Sequence, residues 1–400
     1  MPPKRNNAEW LFFRILGEDN RDIIKGELRR LSDAEWKQML NLAIKTALVP
    51  AFYKRLFSLY LDITPQSLVA SLKNIHLLNL KRNLILEQEL FRAISFFKEN
   101  NITAIPLKGP VLAQCLYGDI ALRSASADLD LLVKEEDFLR AKELLVGLGY
   151  NLVSHNNSES CYNFYLKYLR QLPFRKNNGK EGNLFLELHY DLRGEFVYAP
   201  LNDFWQGLNE FDIGKIKVLI PTKENLLLYL CLLILPVYEI TEVRYIYDLH
   251  SLVSRYGKEI CWDQLGRKIQ GSQHESCVYF ALKLSKELFQ TDIPANFLKE
   301  LKPGIIKSII LSLWVNNNNV LYTKRDCSLR WYYFFTGWYY FASSLLYSSS
   351  LLDAISIIYR KIFLPKVEMV NLYNPESTSK LLPLLYLRRL IKPLTRIFNH

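Results

Sequence analysis

The chain has 400 residues, of which 50% are apolar and 13% aromatic, so it is long enough to bury a sizeable core and is expected to fold as two or three structural units. Its net charge of +11 is unevenly placed, because residues 301–400 hold thirteen Lys and Arg against four Asp and Glu. Such a basic quarter can attract nucleic acid, anionic lipid or a phosphorylated substrate, or it can be the solvated face of terminal helices.

The cysteines and the first residues indicate where the protein resides. The six cysteines have no CxxC spacing, which argues against a disulfide or metal framework and favours reduced thiols in a cytoplasmic protein. The start "MPPKRNNAEWLFFRILGEDN" has too short an apolar part for a signal peptide. Residues 331–352 carry no charge over the length of a membrane span, but their aromatic and serine content favours a buried helix pair over a span or an interfacial segment.

Residues 1–100 are predicted to form an N-terminal helical region. The segment from Ser32 to Tyr60 begins with a Ser cap signal and has apolar residues at spacings of three and four. The segment 66–99 continues this pattern without Gly or Pro. Both are expected to be amphipathic helices.

Residues 101–222 change to a mixed pattern. "ITAIPLKG" and "DLDLLV" are expected strands around a helix opened by Pro110, an acid-capped helix runs to Gly149, and Asn183–Leu192 is another strand. These elements predict a compact unit of strands and helices. From residue 223 to 400 the pattern is helical again, with the basic tail at its end and "NNNN" at 316–319 as a loop.

Two predicted strands carry acids on one face. In "DLDLLV", Asp128 and Asp130 alternate with apolar residues that point into the core, so their side chains stand about 6–7 Å apart on one surface. In "LFLELHY", Glu187 has the same placement. Burying unpaired carboxylates is costly, so their convergence predicts a site for one or two divalent cations, with Mg²⁺ the natural occupant beside phosphate oxygens.

A phosphate-binding side is predicted beside these acids. Lys108 and Gly109 lie between a strand and a helix start, where free N–H groups and the helix dipole favour an anion. Arg123 lies five residues before Asp128 and can fold over the same pocket.

Other residues have two open interpretations. His189 shares the face of Glu187 and can orient a phosphate, accept a proton or be structural. Arg244 and Asp248 are spaced for an ordinary i,i+4 ion pair or a substrate contact. The loop "KYLRQLPFRKNNGKEG" is either a solvated hairpin connection or a segment that contacts triphosphate or RNA. His250 and His274 look incidental.

The stretch "IPLKGPVLAQCLYGDIALRSASADLDLLVKEEDFLRAKELLVGLGY" resembles the uncharacterised nucleotidyltransferase family of the DNA polymerase β superfamily. More diffuse likeness lies in "LELHYDL", "EVRYIYDLHSL", "CWDQL" and "IFLPKVEMVNLY". The resemblance implies a bacterial protein of the α+β class. It further implies a polymerase β-like nucleotidyltransferase core, a small mixed sheet with flanking helices, between the N-terminal helical region and a C-terminal helical domain.

The resemblance also implies roles for single residues. Asp128 and Asp130 match the metal-binding pair and Glu187 the third carboxylate, with Mg²⁺ or Mn²⁺ as cofactor. Lys108 and Gly109 stand in place of the usual Gly-Ser turn. The long interval to Asp128, and Ser126 before it, also resemble toxin-type nucleotidyltransferases of abortive-infection systems. Lys108, Gly109, Arg123, Ser126 and His189 are the expected nucleotide-binding residues.

The implied reaction moves a nucleoside monophosphate from an NTP such as ATP to an acceptor hydroxyl. The acceptor is left open between a small molecule, a glycan, a protein, and tRNA or other RNA, while DNA is not expected. The alternative is a catalytically silent scaffold of the same fold, or a membrane-surface binding protein held by residues 301–400. A cytoplasmic location, peripheral to the inner membrane in that second case, is expected.

Overall fold

The computed structural model describes residues 7–17, 21–153, 162–163, 165–166, 170–192, 202–214, 216–234, 243–270, 274–305 and 307–308. Segment 331–352, the "NNNN" loop, "IFLPKVEMVNLY", Cys161, Cys327 and most of the basic quarter lie outside these residues. The other four cysteines are free thiols, as the sequence predicts. None of the helices within the described ranges has the length and apolar character needed to cross a membrane.

Five helices precede the first strand: α1 (Asn7–Leu16), α2 (Arg21–Leu28), α3 (Asp33–Lys45), α4 (Val49–Leu59) and α5 (Gln66–Glu99). Ser32 caps α3 through a reciprocal capping box with Glu35, which confirms the predicted start. The single helix expected from Ser32 to Tyr60 is broken between α3 and α4. Ala47 has a left-handed φ of 55° there, and Pro50 has no N–H with which to continue the helical hydrogen bonds.

The central sheet has five strands: β1 (Ala104–Pro106), β2 (Asp128–Val133), β3 (Asn151–Leu152), β4 (Gln171–Asn177) and β5 (Asn183–His189). The strand order is β1-β2-β5-β4-β3. Strands β2 and β5 are parallel, and the other pairs are antiparallel. Helix α6 (Gly109–Tyr117) follows β1, and α7 (Phe138–Gly147) follows β2 after a short 3₁₀ turn. A small mixed sheet flanked by helices confirms the α+β class.

The sequence predicts β1, β2 and β5 but not β3 or β4. Strand β4 contains Pro173 and ends in polar residues, so it lacks the apolar alternation by which a strand is recognised. The strand predicted to reach Leu192 ends at His189. A separate antiparallel hairpin, β6 (Asn209–Ile213) with β7 (Ile216–Ile220), was also not predicted; β7 contacts β1.

The C-terminal part of the described chain is helical, as expected: α8 (Lys223–Ile234), α9 (Val243–Tyr256), α10 (Trp262–Ile269), α11 (Glu275–Phe289) and α12 (Ala295–Glu300). These helices share one hydrophobic cluster with α1–α4. A contact between the rings of Phe13 and Phe289, with centroids 5.5 Å apart, joins α1 to α11. The division of the chain at residues 100 and 222 stays a prediction.

The two faces of the central sheet pack against different hydrophobic clusters. Leu129, Leu131 and Val133 of β2 lie on the face packed against α7 and the second half of α5, together with the leucines of β5. Leu132 points the other way and belongs to the helical cluster. Each fully buried leucine contributes about 1.5–3 kcal/mol of transfer free energy. Apolar packing thus fixes the register of β2 and sets Asp128 and Asp130 on the opposite face.

Candidate active site

The predicted carboxylates meet across one pair of parallel strands. In the register of β2 and β5, Asp130 stands opposite Glu187, and Leu132 stands opposite His189. Alternation puts Asp128, Asp130, Glu187 and His189 on one face, as the sequence predicts. Asp130 is only 2% exposed, whereas Asp128 and Glu187 are partly accessible.

Asp130 has two cationic or polar neighbours. The Lys108 ammonium donates to its Oδ1 at 3.0 Å. His189 Nε2 lies 3.3 Å from the same oxygen and 3.6 Å from Glu187 Oε2. The second oxygen, Oδ2, is buried and accepts no hydrogen bond from the described residues. One oxygen of the carboxylate is therefore neutralised, and the other has no hydrogen-bond donor among the described residues.

The three acids have different proton affinities. Burial alone would raise the pKa of Asp130, but Lys108 and His189 together hold it well below its usual range. Burial, reinforced by the charge of Asp130, raises the pKa of Asp128 and that of Glu187. Burial opposes the charge on Lys108, but Asp130 raises the pKa of that lysine well above its ordinary value. A second cation would relieve the repulsion among the three carboxylates.

Asp130, Glu187 and His189 form a candidate metal-binding group. One ligand atom from each lies within 4.8 Å of those of the other two. Two carboxylates with one imidazole suit Mg²⁺ less well than an all-oxygen set and suit Mn²⁺ well, and the open Oδ2 of Asp130 gives a buried donor with no competing hydrogen bond. The donor chemistry thus fits a divalent cation. The sequence placed His189 beside the nucleotide, and the Glu-x-His alternation was the signal that it can also be a ligand.

Lys108 and Gly109 lie at the start of α6. Gly109 has a φ of +68°, a conformation that glycine adopts at little cost, and Pro110 follows in the first turn. Lys108 occupies the N-cap position, where its ammonium cannot accept from a helix N–H, and it donates to Asp130 instead. The N–H groups of the first turn have no partner within the helix, so this end of α6 favours an anion beside the carboxylates.

Arg123 is paired with a helix of the C-terminal part. It is 3% exposed, and its Nε donates to Asp248 Oδ1 at 3.1 Å and Oδ2 at 3.0 Å. Tyr117 donates to Asp248 Oδ1 at 2.7 Å, and Arg123 Nη1 donates to Ser126 Oγ at 3.3 Å. Asp248 therefore pairs with Arg123 and not with Arg244, so the expected local i,i+4 pair is wrong. A contact of Arg123 or Ser126 with nucleotide stays a prediction.

Two asparagines that the sequence analysis missed hold the loop before Asp128. Asn79 and Asn83 are one turn apart on α5, and each donates from Nδ2 to the carbonyl of Arg123, at 3.0 and 2.9 Å. Asn79 also accepts from the Ala125 N–H at 2.7 Å, and Asn83 also donates to the Ile120 carbonyl at 2.7 Å. Asparagine is a poor helix former, so two of them at i,i+4 within a long helix were the available signal.

Two tyrosines of the C-terminal helices lie near Lys108. Tyr229 of α8 and Tyr245 of α9 are both buried and close enough to influence the pKa of the lysine. Arg244 Nη2 donates to the hydroxyl of Tyr245 at 3.1 Å, and the guanidinium of Arg123 lies 5.8 Å from the centre of the same ring. Helices α8 and α9 therefore wall the site on the side of α6.

The remaining candidates lie elsewhere. His250 is buried, with Nδ1 2.9 Å from Thr291 Oγ1, and His274 is buried at the start of α11. In the basic loop, residues 171–177 are strand β4 and residues 178–182 are the turn into β5, so the hairpin interpretation is confirmed for that part. Lys176 is bound to Glu89.

The model of the uncharacterised nucleotidyltransferase family matches residues 32–290, a range that contains every element from α3 to α11 and all the site residues described above. No curated protein matches the chain. Because the family model covers more than half of the chain, the protein belongs to the uncharacterised nucleotidyltransferase family and is a nucleotidyltransferase.

Proposed function

We propose that this nucleotidyltransferase is metal-dependent and moves a nucleoside monophosphate from an NTP to an acceptor hydroxyl. The observation that carries the proposal is Asp130, a buried carboxylate with one oxygen on Lys108 and the other without a donor among the described residues. Such a group is costly to keep unless a ligand completes it. Mg²⁺ or Mn²⁺ would complete it.

Asp128, Asp130, Glu187 and His189 would hold the metal. When bound, the metal would supply charge neutralisation for the triphosphate and a lower pKa for the attacking hydroxyl. Glu187 and Asp128, whose pKa values are raised, would give up any bound proton on metal binding.

The chain's other residues would position the donor. Lys108 and the N–H of Gly109 would hold phosphate oxygens, since both lie at the start of α6 beside Asp130. Arg123 would fix the loop that leads to Asp128 through its pair with Asp248, and Ser126 would be held with it. The acceptor hydroxyl would attack the α-phosphorus, and pyrophosphate would leave, with no covalent protein intermediate.

The test is thermal unfolding of the full chain with each of the four NTPs, with and without Mg²⁺ or Mn²⁺. A ligand at 100 times its dissociation constant stabilises the folded state by about 2.7 kcal/mol. We expect a metal-dependent rise in Tm that Asp130→Asn abolishes and that the control Asp212→Asn, an exposed residue of β6, leaves intact.

The preferred NTP, labelled at the α-phosphate, would then be used to detect transfer and pyrophosphate release. Transfer by Asp130→Asn at the wild-type rate would overturn the site. If no NTP shifts Tm with either metal, a silent scaffold of the same fold becomes the better account of this chain.

A further inference from the structure

A second pocket lies away from the carboxylates, between α4, the end of α6 and one face of α9. Its volume is about 390 Å³, within the range of small-molecule sites. Helix α4 contributes Lys54, Arg55 and Ser58, and α9 contributes Ser254 and Arg255. The described residues that line it include no Asp or Glu.

The cations of this pocket come from two helices that face each other across it. A cleft lined by charges of one sign attracts counter-ions more strongly than the same charges spread over a surface. Three acids lie close in sequence to the lining: Asp248 binds Tyr117 and Arg123, Asp119 Oδ1 accepts from the Ala121 N–H at 2.8 Å, and Glu259 pairs with Lys223. The described lining thus adds no carboxylate beside Lys54 and Arg255.

Arg255 is held in place at the pocket edge. Its guanidinium lies 5.5 Å from the ring centre of Tyr256, and a Cβ at Gly118 would come within 3.0 Å of its Nη1. The glycine that ends α6 thus leaves room for this guanidinium. A guanidinium and a lysine in one lining suit the planar and point-charge recognition of phosphate oxygens.

The floor of the pocket is uncharged. The uncharged part of the lining includes Leu59, Leu116, Leu122 and the ring of Tyr117. A ligand that fills this volume would therefore place an anionic group near Arg255 and an uncharged part on the leucines.

We propose that this pocket binds a small phosphorylated molecule, with Lys54 and Arg255 on either side of its phosphate. It is distinct from the carboxylate site, because its described lining contains none of the residues Lys108, Asp128, Asp130, Glu187 and His189. The site does not depend on the metal or on the transfer reaction.

The test is isothermal titration calorimetry of the full chain in EDTA, with AMP, inorganic phosphate and acetate as probes. We expect AMP to bind with a stoichiometry of one, more tightly than phosphate, and acetate not to bind. Arg255→Gln and Lys54→Gln should each weaken AMP binding at least tenfold. Both side chains are exposed, so an unchanged Tm would verify that the variants fold.

Two controls separate this site from the carboxylates. Lys73→Gln, which removes an exposed lysine of α5 outside the pocket, and Asp130→Asn should both leave AMP binding unchanged. Wild-type affinity in Arg255→Gln, no saturable binding of AMP, or acetate binding as tightly as phosphate would each overturn the proposal. Loss of AMP binding in Asp130→Asn with retention in Arg255→Gln would move the ligand to the carboxylate site.

Discussion

Asp130 and Lys108 form a buried pair in which each residue needs the other. Both side chains are largely removed from water, at 0% and 18% exposure. Removing one partner of such a pair leaves an uncompensated charge and typically costs 3–5 kcal/mol, whereas removing both can be nearly neutral. The lysine therefore has a structural role in the metal-free protein, in addition to any contact with phosphate.

Replacement of Lys108 should destabilise the metal-free protein strongly. We expect Lys108→Ala to lower the free energy of unfolding by about 3 kcal/mol, because Asp130 is then buried without its cation. The double variant Lys108→Ala, Asp130→Asn should recover much of this loss, because no charge remains to be neutralised. Urea unfolding in EDTA gives the free energies of unfolding of the wild type, Lys108→Ala and the double variant.

Added Mn²⁺ provides the internal check on this prediction. It should restore stability to Lys108→Ala, since a cation at the carboxylates replaces the lost ammonium, and should do nothing for the double variant. Equal stability of the two variants in EDTA would mean that the pair contributes nothing by its charge.

Glu187 should lower the stability of the metal-free protein at neutral pH. Its pKa is raised by burial and by Asp130, so its ionised form is less stable in the folded state than in the unfolded state. That penalty is absent below the ordinary Glu pKa and develops as pH rises through the window up to the raised pKa. We expect Glu187→Gln to raise the free energy of unfolding by about 1 kcal/mol at pH 7.5 in EDTA, and this increase to vanish near pH 4.

The control for this experiment is Glu136→Gln, which alters an exposed Glu after β2. It should change stability little at either pH. A gain for Glu187→Gln that is the same at pH 4 and pH 7.5 would contradict the electrostatic cause. With Mn²⁺ present, the wild type should be more stable than Glu187→Gln, because only the wild type keeps Glu187 as a metal ligand.

At the scale of elements, α5 serves the site without contributing a catalytic group. Its asparagines bind the carbonyls of the loop that carries Arg123, and the loop leads directly into β2. Asn83→Ala should lower the free energy of unfolding by about 2 kcal/mol, because the partly buried Ile120 carbonyl and the Arg123 carbonyl each lose a donor. Hydrogen exchange should also show faster opening of residues 119–126.

The matched control is Asn74→Ala, an exposed asparagine on the same helix. It should be neutral or slightly stabilising, since Ala has the higher helix propensity. If both variants behave alike, the hydrogen bonds of Asn83 do not hold the loop.

The local sequence predicted part of the arrangement of the site residues. Alternation in "DLDLLV" and "LFLELHY" predicted which residues share a face, and the two strands are neighbours as expected. The parallel register that sets Asp130 opposite Glu187 was not predicted. The partner of Asp248 could not be predicted in this way. Arg244 is one turn away on the same helix, but Arg123 reaches Asp248 from a distant part of the chain. Spacing rules describe one element, and this pair depends on how two elements pack.

At the scale of the whole molecule, the helices at both ends of the described chain share one core. The composition predicted a large core, but periodicity could not show that α1 packs against α11, since each helix has only its own apolar face in the sequence. The family match begins at residue 32, yet Leu11, Phe12, Phe13 and Leu16 are fully buried. Helix α1 is thus part of the fold that surrounds the site.

The contact between α1 and α11 gives the last prediction. Gly17 ends α1 so close to Phe289 that a Cβ there would lie 2.4 Å from the Phe289 carbonyl oxygen. This oxygen belongs to the backbone and cannot rotate away, so Gly17→Ala must push the two helices apart. We expect a loss of about 2–3 kcal/mol, as for other overpacked cores, measured by urea unfolding.

Gly26 on α2 is the matched control, because a Cβ added there meets nothing within 4 Å. Gly26→Ala should therefore gain about 0.5–1 kcal/mol, since alanine loses less backbone entropy in a helix than glycine. The two identical substitutions, nine positions apart in sequence, should thus have opposite signs. If Gly17→Ala instead raised the stability as Gly26→Ala should, Gly17 would not lie this close to the Phe289 backbone. The close packing of α1 against α11 would then be contradicted.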